Sequence, residues 1–303
     1  MLAKLRLAGL VAALGMVFSL LSAGGAVAAA AATGSLTGAP IHPLRSPNGS
    51  VQRTLRHQVE TSNWSGYAEA NFKTGLSYTA ASGTWVVPTV KAVSGFSTAY
   101  SSSWVGIGGF CTTARCNKVD RTLIQLGTEQ DVASSGTTTY YAWYEMLPSA
   151  PVKIPLTVVR GDQVTASLSK SPSAGTSHGP GQHGGGHHVS SQIWLLSMDD
   201  LTTGKSWSTT VTYSSSLLSA EWIEEAPSSG TVLPLANFGT MNFDAGTVNS
   251  GSSPNLQGSQ GVIMLDPYGQ SANPSGPDPD SDGFNACWSA THTLASCTAP
   301  ATS

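Results

Sequence analysis

Charge is scarce in this chain of 303 residues. Asp, Glu, Lys and Arg make up 10% of it, whereas an ordinary soluble domain has about 25%. The formal net charge is only −3, so no strong field indicates binding to nucleic acid or to an anionic membrane. Because there are few carboxylates to protonate and few cations to repel one another, such a fold loses little stability as the pH falls. The composition is therefore compatible with an acid-tolerant protein.

The sequence also lacks the motifs of several hydrolase classes. Its one GxSxG match, GTSHG at 175–179, lies in a Gly- and His-rich run without the strand-to-helix context of a serine nucleophile elbow, and there is no HExxH for a zinc peptidase. Its four cysteines lack CxxC spacing, and two local disulfides are the simplest of the three possible pairings of Cys111, Cys116, Cys287 and Cys297. We therefore expect no cysteine nucleophile, no metal and no cofactor.

Only one long apolar run occurs, and it lies at the N-terminus. Lys4 and Arg6 precede the apolar core Leu7–Leu21, and small residues at Ala26–Ala29 offer a cleavage site. This pattern predicts a signal peptide over residues 1–30 and a secreted, extracellular protein. A membrane anchor is the alternative, but the core is short and lacks a basic flank after it. Since no second run of about 18 apolar residues follows, we expect a soluble mature chain without membrane contact.

Residues 31–58 are polar and rich in turns, and every charge among them is basic. Arg45, Arg53 and Arg56 carry the charge, with His42 and His57 beside them. Two interpretations are open. The segment is either a disordered tail or a prosegment whose cations cover an acidic cleft until it is removed.

Residues 59–303 consist of short β-rich runs bounded by Gly, Pro, Ser, Asn or Asp. The runs are TLIQLGT, TTYYAWYEML, VKIPLTVV, QVTASL, SQIWLLSM, SWSTTVTY, AEWIEEA, LANFGTMNF and QGVIMLD. Helical periodicity is hard to find among them. We therefore predict an all-β fold, a single lectin-like β-sandwich of two antiparallel sheets with a concave active-site face. Nothing indicates a second domain, and we expect a monomer.

Two segments suggest metal sites only weakly. Residues 171–188 carry His178, His183, His187 and His188 among six glycines, without a Cys or carboxylate nearby. Ordering so many glycines is costly, so we expect a mobile surface loop. The string DPDSDG, residues 278–283, begins like a calcium loop but has Ser289 where the bidentate Glu belongs, so a solvated turn is expected.

Strand alternation predicts which side chains share a face. Three runs each place polar or aromatic side chains together: Leu123, Gln125 and Gly127; Tyr141, Trp143 and Glu145; and Glu221, Ile223 and Glu225. Glu224 lies on the opposite face from Glu225. A concave face with amide, carboxyl and aromatic groups suits an extended polymer.

Several motifs in register resemble the glutamic peptidases, also called eqolisins. The motifs are NWSGYA (63–68), WVGIGGF (104–110), LIQLGT (123–128), YAWYEMLP (141–148), LTTGKS (201–206) and AEWIEEAP (220–227). The resemblance implies a β-sandwich endopeptidase that is active in acid, insensitive to pepstatin and directed at unfolded or flexible polypeptides.

The resemblance also implies roles for individual residues. The catalytic pair would be Gln125, which stabilises the oxyanion, and Glu225, which acts as general base and acid on a water. Trp64, Trp104 and Glu145 would contact the substrate, and we add Tyr141 because it shares a face with Glu145.

Two positions depart from the family pattern. Gly108 stands where members carry an Asp, so another group would have to do whatever that Asp does. Glu224 stands where members have an apolar residue before the catalytic Glu.

A carbohydrate-active β-sandwich is the alternative function. Trp and Tyr on a concave sheet suit sugar stacking. A glycosidase would use two carboxyl groups, with Glu145 and Glu225 as the candidates, whereas a lectin-like module would bind glycans without hydrolysis.

Overall fold

A computed structural model describes residues 42–44, 52–53, 58–70, 72, 75–172, 191–249, 251–257 and 260–301. The predicted signal peptide and the histidines of the 171–188 segment lie outside the described residues. The described part of the chain contains no α-helix, and thus no helix long and apolar enough to cross a membrane.

Eighteen strands form in the described residues. They are β1 (Gln52–Arg53), β2 (Val59–Thr61), β3 (Trp64–Ala70), β4 (Ala80–Val86), β5 (Thr98–Gly108), β6 (Leu123–Ala133), β7 (Thr138–Met146), β8 (Val152–Lys153), β9 (Gln163–Lys170), β10 (Gln192–Asp200), β11 (Lys205–Tyr213), β12 (Ser219–Glu225), β13 (Ser228–Ser229), β14 (Thr231–Val232), β15 (Thr240–Val248), β16 (Gly261–Leu265), β17 (Ser271–Pro274) and β18 (Phe284–Ser289).

The predicted β-sandwich is confirmed, and its two layers belong to one hydrogen-bonded sheet. The strand order is β11-β10-β9-β4-β15-β18-β17-β16-β3-β12-β5-β6-β7-β8. We call β16-β3-β12-β5-β6-β7-β8 the front layer and the other half of the order the back layer. Strands β4 and β9 pack on β5 without pairing with it. Pairing is antiparallel except between β2 and β16.

The main core lies between the two layers. Each strand sends alternate side chains into it, as Ile124 and Leu126 of β6 do against Leu168 of β9 and Trp85 of β4. Burying a side chain of this size stabilises the fold by about 1.5–3 kcal/mol. The other side chains of β6 therefore point to the outer face of the front layer.

A second apolar cluster covers that outer face. It contains Leu44, Val59, Trp64, Ala68, Trp104, Phe110, Cys111, Cys116, Leu123, Trp143, Ile223 and Val262. The face is thus buried rather than exposed, although it is not the interface between the layers.

Both predicted disulfides form. Cys111 pairs with Cys116 and Cys287 with Cys297, so no described cysteine is free. Two strand predictions were too long: the run 152–159 is a strand only at Val152–Lys153, and the run 235–243 is a strand only from Thr240 onward. Pro155 has no N–H to donate to a strand ladder, which limits pairing there.

Candidate active site

Three cross-strand rows define the outer face of β12, β5, β6 and β7. The first row is Glu221, Gly106, Gln125 and Glu145; the second is Ile223, Trp104, Gly127 and Trp143; the third is Glu225, Ser102, Glu129 and Tyr141. Strand β5 lies between β12 and β6. The two side chains proposed for catalysis therefore share one face, two strands and two rows apart.

Glycines make room on this face for the large side chains. A Cβ on Gly127 would lie 2.5 Å from the Ser103 carbonyl oxygen and 2.5 Å from Trp104 Cβ. A Cβ on Gly106 would lie 2.9 Å from the Trp104 ring and 3.3 Å from Gln125 Cβ. Since real Cβ atoms essentially never come within 3.0 Å of such neighbours, Gly127 allows the close approach of β5 at Ser103 and Trp104, and Gly106 leaves room for the Trp104 ring.

Glu225 is fully buried and accepts two hydrogen bonds from nitrogen donors. Asn63 Nδ2 donates to Oε1 over 2.8 Å, and Trp104 Nε1 donates to Oε2 over 2.7 Å. Burial raises the pKa of Glu225 well above its usual value, while the donors from Trp104 and Asn63 act in the opposite direction. The carboxyl is therefore held in a fixed orientation and is able to bind or release a proton.

Gln125 is also fully buried, and its amide is oriented by Glu145 of the neighbouring strand. Gln125 Nε2 donates to Glu145 Oε2 over 2.7 Å. Burial raises the pKa of Glu145 to about 8, so this carboxyl is neutral in acid. An amide nitrogen has two N–H groups, so the second one remains for a ligand.

The predicted aromatic contacts line the same face. Trp64 and Trp104 meet edge to face with ring centroids 4.8 Å apart. Tyr141 lies opposite Glu129 at the end of the third row, and Lys153 Nζ lies 5.3 Å from the centre of its ring. The structure thus brings all the predicted site residues, Trp64, Trp104, Gln125, Tyr141, Glu145 and Glu225, onto one face.

A piece of the N-terminal segment occupies the middle of this face. The His42 imidazole stacks on Trp143, with ring centroids 4.0 Å apart and planes 6° from parallel. Its Nδ1 lies 3.4 Å from Glu225 Oε2, and Gln125 Nε2 lies 3.5 Å from the His42 carbonyl oxygen. Burial lowers the pKa of His42 to about 3. Both candidate catalytic side chains therefore reach the same residue.

Sequence reasoning missed four residues of this site. Asn63 and Trp143 lie within quoted motifs, and Trp143 shares the predicted face with Glu145, so alternation was a usable signal for it. Glu129 follows Gln125 by four residues on the same face. For His42, the sequence offers no indication of a place in the site apart from the basic residues around it. Its position depends on a contact with Glu145, 103 residues away.

Further carboxyl groups surround the site. Burial and the neighbouring Asp131 raise the pKa of Glu129, and burial raises that of Glu221. Glu224 lies on the opposite face of β12, where Ser103 Oγ donates to its Oε2 over 2.6 Å. The predicted separation of Glu224 from Glu225 by face is what the structure shows.

Asp120 lies beside Gly108, the position at which family members carry an Asp. Gly108 has φ +86°, a conformation that disfavours residues with a Cβ. A Cβ built there would lie 3.3 Å from Oδ2 of Asp120. The Asp120 carboxylate accepts hydrogen bonds from the Thr122 backbone N–H and hydroxyl and from the Ser216 hydroxyl. A carboxylate thus lies beside this position although the residue itself carries none.

Among the described residues, one group of three carboxyls is close enough to hold a cation. Atoms of Asp244, Asp278 and Asp282 lie within 4.8 Å of one another, next to strand β18 in the back layer. Asp278 Oδ1 already accepts the backbone N–H groups of Asp282 and Gly283. These bonds are those of a tight turn, the structure expected for the DPDSDG string.

Known proteins of similar sequence and structure are peptidases. Residues 62–181 and 187–273 match the Peptidase A4 family. Aspergillopepsin-2 from Aspergillus niger is 28% identical over 220 residues, which cover 64% of this chain and 66% of that protein. The matched region thus spans just under two thirds of that relative's length.

Two solved structures also match this chain. Scytalido-glutamic peptidase with a peptide-based transition state analogue has a TM-score of 0.47 and 24% identity, over 75% of this chain and 98% of that one. SCP-B, a member of the eqolisin family, has a TM-score of 0.45 and 22% identity, over 75% and 98%. On the strength of the sequence match across most of its length, the chain belongs to the Peptidase A4 family, the glutamic peptidases that its motifs resemble.

Proposed function

We propose that the protein is a secreted acid endopeptidase that uses Gln125 and Glu225 as its catalytic pair. The observation that carries this proposal is the convergence of both side chains on one residue. Gln125 Nε2 lies 3.5 Å from the carbonyl oxygen of His42, and Glu225 Oε2 lies 3.4 Å from its ring nitrogen. A peptide backbone and a catalytic water need this kind of shared space. Family membership supports a peptidase rather than the carbohydrate-active alternative.

The two side chains divide the chemistry of peptide hydrolysis. Glu225 takes a proton from water as the water oxygen adds to the carbonyl carbon, and returns it to the leaving nitrogen as the C–N bond breaks. Gln125 donates an N–H to the oxyanion that develops on the carbonyl oxygen, an interaction worth roughly 3–4 kcal/mol in acyl-transfer sites. Because Glu145 binds the other N–H of the amide, Gln125 needs no reorientation during the reaction.

The carboxyl groups of the cleft explain why acid suits this site. Glu129, Glu145 and Glu225 are all fully buried on one face, and burial raises the pKa of each. Ionising all three would place like charges close together without water. In acid, Glu129 and Glu145 stay neutral, and Glu225 is the carboxyl whose ionised form the Trp104 and Asn63 donors favour against the effect of burial. Substrates would be unfolded or flexible polypeptides laid along the aromatic face.

The test uses denatured casein at pH 3–4 in the presence of pepstatin. We expect Gln125→Ala and Glu225→Gln to lower kcat/KM at least 100-fold while the circular dichroism spectrum is unchanged. Glu224→Gln is the matched control, since Glu224 is adjacent in sequence but points into the interlayer core, and we expect activity within a few-fold of wild type. Full activity of Glu225→Gln would refute the catalytic assignment.

A further inference from the structure

Residues His42–Leu44 run across the site and make backbone contacts with its polar side chains. His42 N–H donates to Glu145 Oε2 over 3.1 Å, and Gln125 Nε2 lies 3.5 Å from its carbonyl oxygen. The next carbonyl, that of Pro43, accepts from Asn63 Nδ2 over 3.0 Å. Three consecutive peptide groups are therefore contacted by residues that orient or form the proposed catalytic pair.

The His42 side chain fixes the segment in the cleft between Trp143 and two of the buried carboxyl groups. Its ring lies flat on Trp143, with Nδ1 3.4 Å from Glu225 Oε2 and Nε2 3.9 Å from Glu129 Oε2. The residue is 1% exposed.

Leu44 continues the contact on the apolar part of the face. It is 9% exposed and belongs to the cluster that includes Trp64 and Trp104. Around these three residues, the sequence of segment 31–58 contains no Asp or Glu. The segment therefore adds no negative charge to a cleft that already holds Glu129, Glu145 and Glu225.

We propose that His42–Leu44 is a pseudo-substrate that blocks the active site of its own chain, with the His42–Pro43 peptide bond seated as the bond to be cut and protected from cutting by Pro43. This inference rests on the proposed function, because it takes Gln125 as the oxyanion donor. It takes residues 31–58 as a prosegment, and identifies His42, Pro43 and Leu44 as the residues that block the cleft.

Proline protects the bond for a steric reason. Cleavage would join the water oxygen to the His42 carbonyl carbon, break the C–N bond, and transfer a proton from Glu225 to the Pro43 nitrogen. That nitrogen carries a ring carbon in place of hydrogen, and the ring fixes φ near −65°. The ring carbon adds bulk beside the nitrogen that must accept the proton, and the ring restricts rotation about the N–Cα bond.

The test replaces each blocking feature in the full secreted chain. We expect Pro43→Ala to be cut between residues 42 and 43, which intact mass spectrometry detects as a chain beginning at residue 43, whereas wild type remains uncut at this bond. The cut should be independent of protein concentration and absent from Pro43→Ala with Glu225→Gln. Pro40→Ala is the matched control and should behave like wild type.

A second variant tests the block without relying on self-cleavage. His42→Ala removes the ring from Trp143 and Glu225, and we expect its initial rate on a fluorogenic peptide to be at least 10-fold above that of wild type, without a lag. If wild type degrades casein but Pro43→Ala is not cut and His42→Ala shows no faster initial rate, this inference is overturned and the proposed function stands. Absence of hydrolysis in wild type after acid treatment and in all variants would instead overturn the proposed function.

Discussion

Glu224 and Glu225 are consecutive residues of β12, yet their carboxyl groups lie on opposite faces of the front layer. Glu225 accepts hydrogen bonds from Asn63 and Trp104 in the cleft, whereas Glu224 accepts one from Ser103 in the interlayer core. Both are fully buried. Glu225 is therefore the glutamate of this strand that we propose for catalysis, whereas we expect Glu224 to affect the pH dependence of stability.

Glu224 should make the fold less stable as the pH rises. Burial raises its pKa from the usual 4.5 to about 8. Below pH 4.5 the carboxyl is protonated in both the folded and unfolded chain, so the stability of the folded state is fully present there. Between pH 4.5 and 8 the unfolded chain gains from ionisation, at about 1.4 kcal/mol per pH unit for each such carboxyl as an upper limit.

We therefore expect the free energy of unfolding of wild type, measured with urea from pH 3 to 8, to be highest in acid and to fall towards pH 8. Glu224→Gln should flatten part of this slope, because the amide keeps an oxygen for the Ser103 hydroxyl but never ionises. Glu60→Gln, at a half-buried position on β2, is the control and should keep the wild-type slope. Equal slopes in all three proteins would contradict the prediction.

The hydrogen bond from Gln125 to residue 145 should be needed for a fast reaction. The acceptor at position 145 should not need to be an ionisable group. Glu145→Gln retains an oxygen that accepts from Gln125 Nε2, and we expect less than a 5-fold loss in kcat. Glu145→Leu removes the acceptor and leaves a buried N–H of Gln125 unpaired, which costs about 1–3 kcal/mol. Since about 1.4 kcal/mol corresponds to a tenfold change in rate, we expect kcat to fall roughly 10- to 100-fold.

Steady-state kinetics on a peptide substrate measures both variants. A Glu145→Gln variant as inactive as Glu225→Gln would speak for a pair of acids, as a glycosidase would use, and against an amide and an acid.

The indole N–H of Trp104 should set the acidic limit of activity. It donates to Glu225 Oε2 over 2.7 Å and favours the ionised carboxylate. Trp104→Phe keeps most of the ring but removes the donor, so the pKa of Glu225 rises. Since a hydrogen bond to a charged group is worth about 1.5–3 kcal/mol, we expect the acidic limb of the kcat/KM profile to move up by about one to two pH units.

A matched variant controls for the loss of indole volume. Trp194 is equally buried in β10, and its Nε1 contacts Gln192 rather than a cleft residue. Trp194→Phe should leave the pH profile in place, even if it lowers stability. An unshifted profile in Trp104→Phe would show that this donor does not tune Glu225.

Much of the site could be predicted from strand periodicity. Side chains alternate between faces along any extended strand, so Gln125 with Gly127, and Glu225 with Ile223, could be assigned to common faces without coordinates. The local disulfides followed from short spacing in the same way. The 152–159 run failed because one proline outweighs the β-forming residues around it.

The sequence by itself determined the strands, the face on which each side chain lies, and the family, because these depend on local geometry and on motifs read in order. Only the tertiary structure decided that β5 separates β12 from β6, that Asn63 and Trp104 bind Glu225, and that His42 lies between the two catalytic candidates. Those contacts join residues more than 80 positions apart, and their geometry depends on how the whole sheet folds over itself. Local periodicity has no information about that closure.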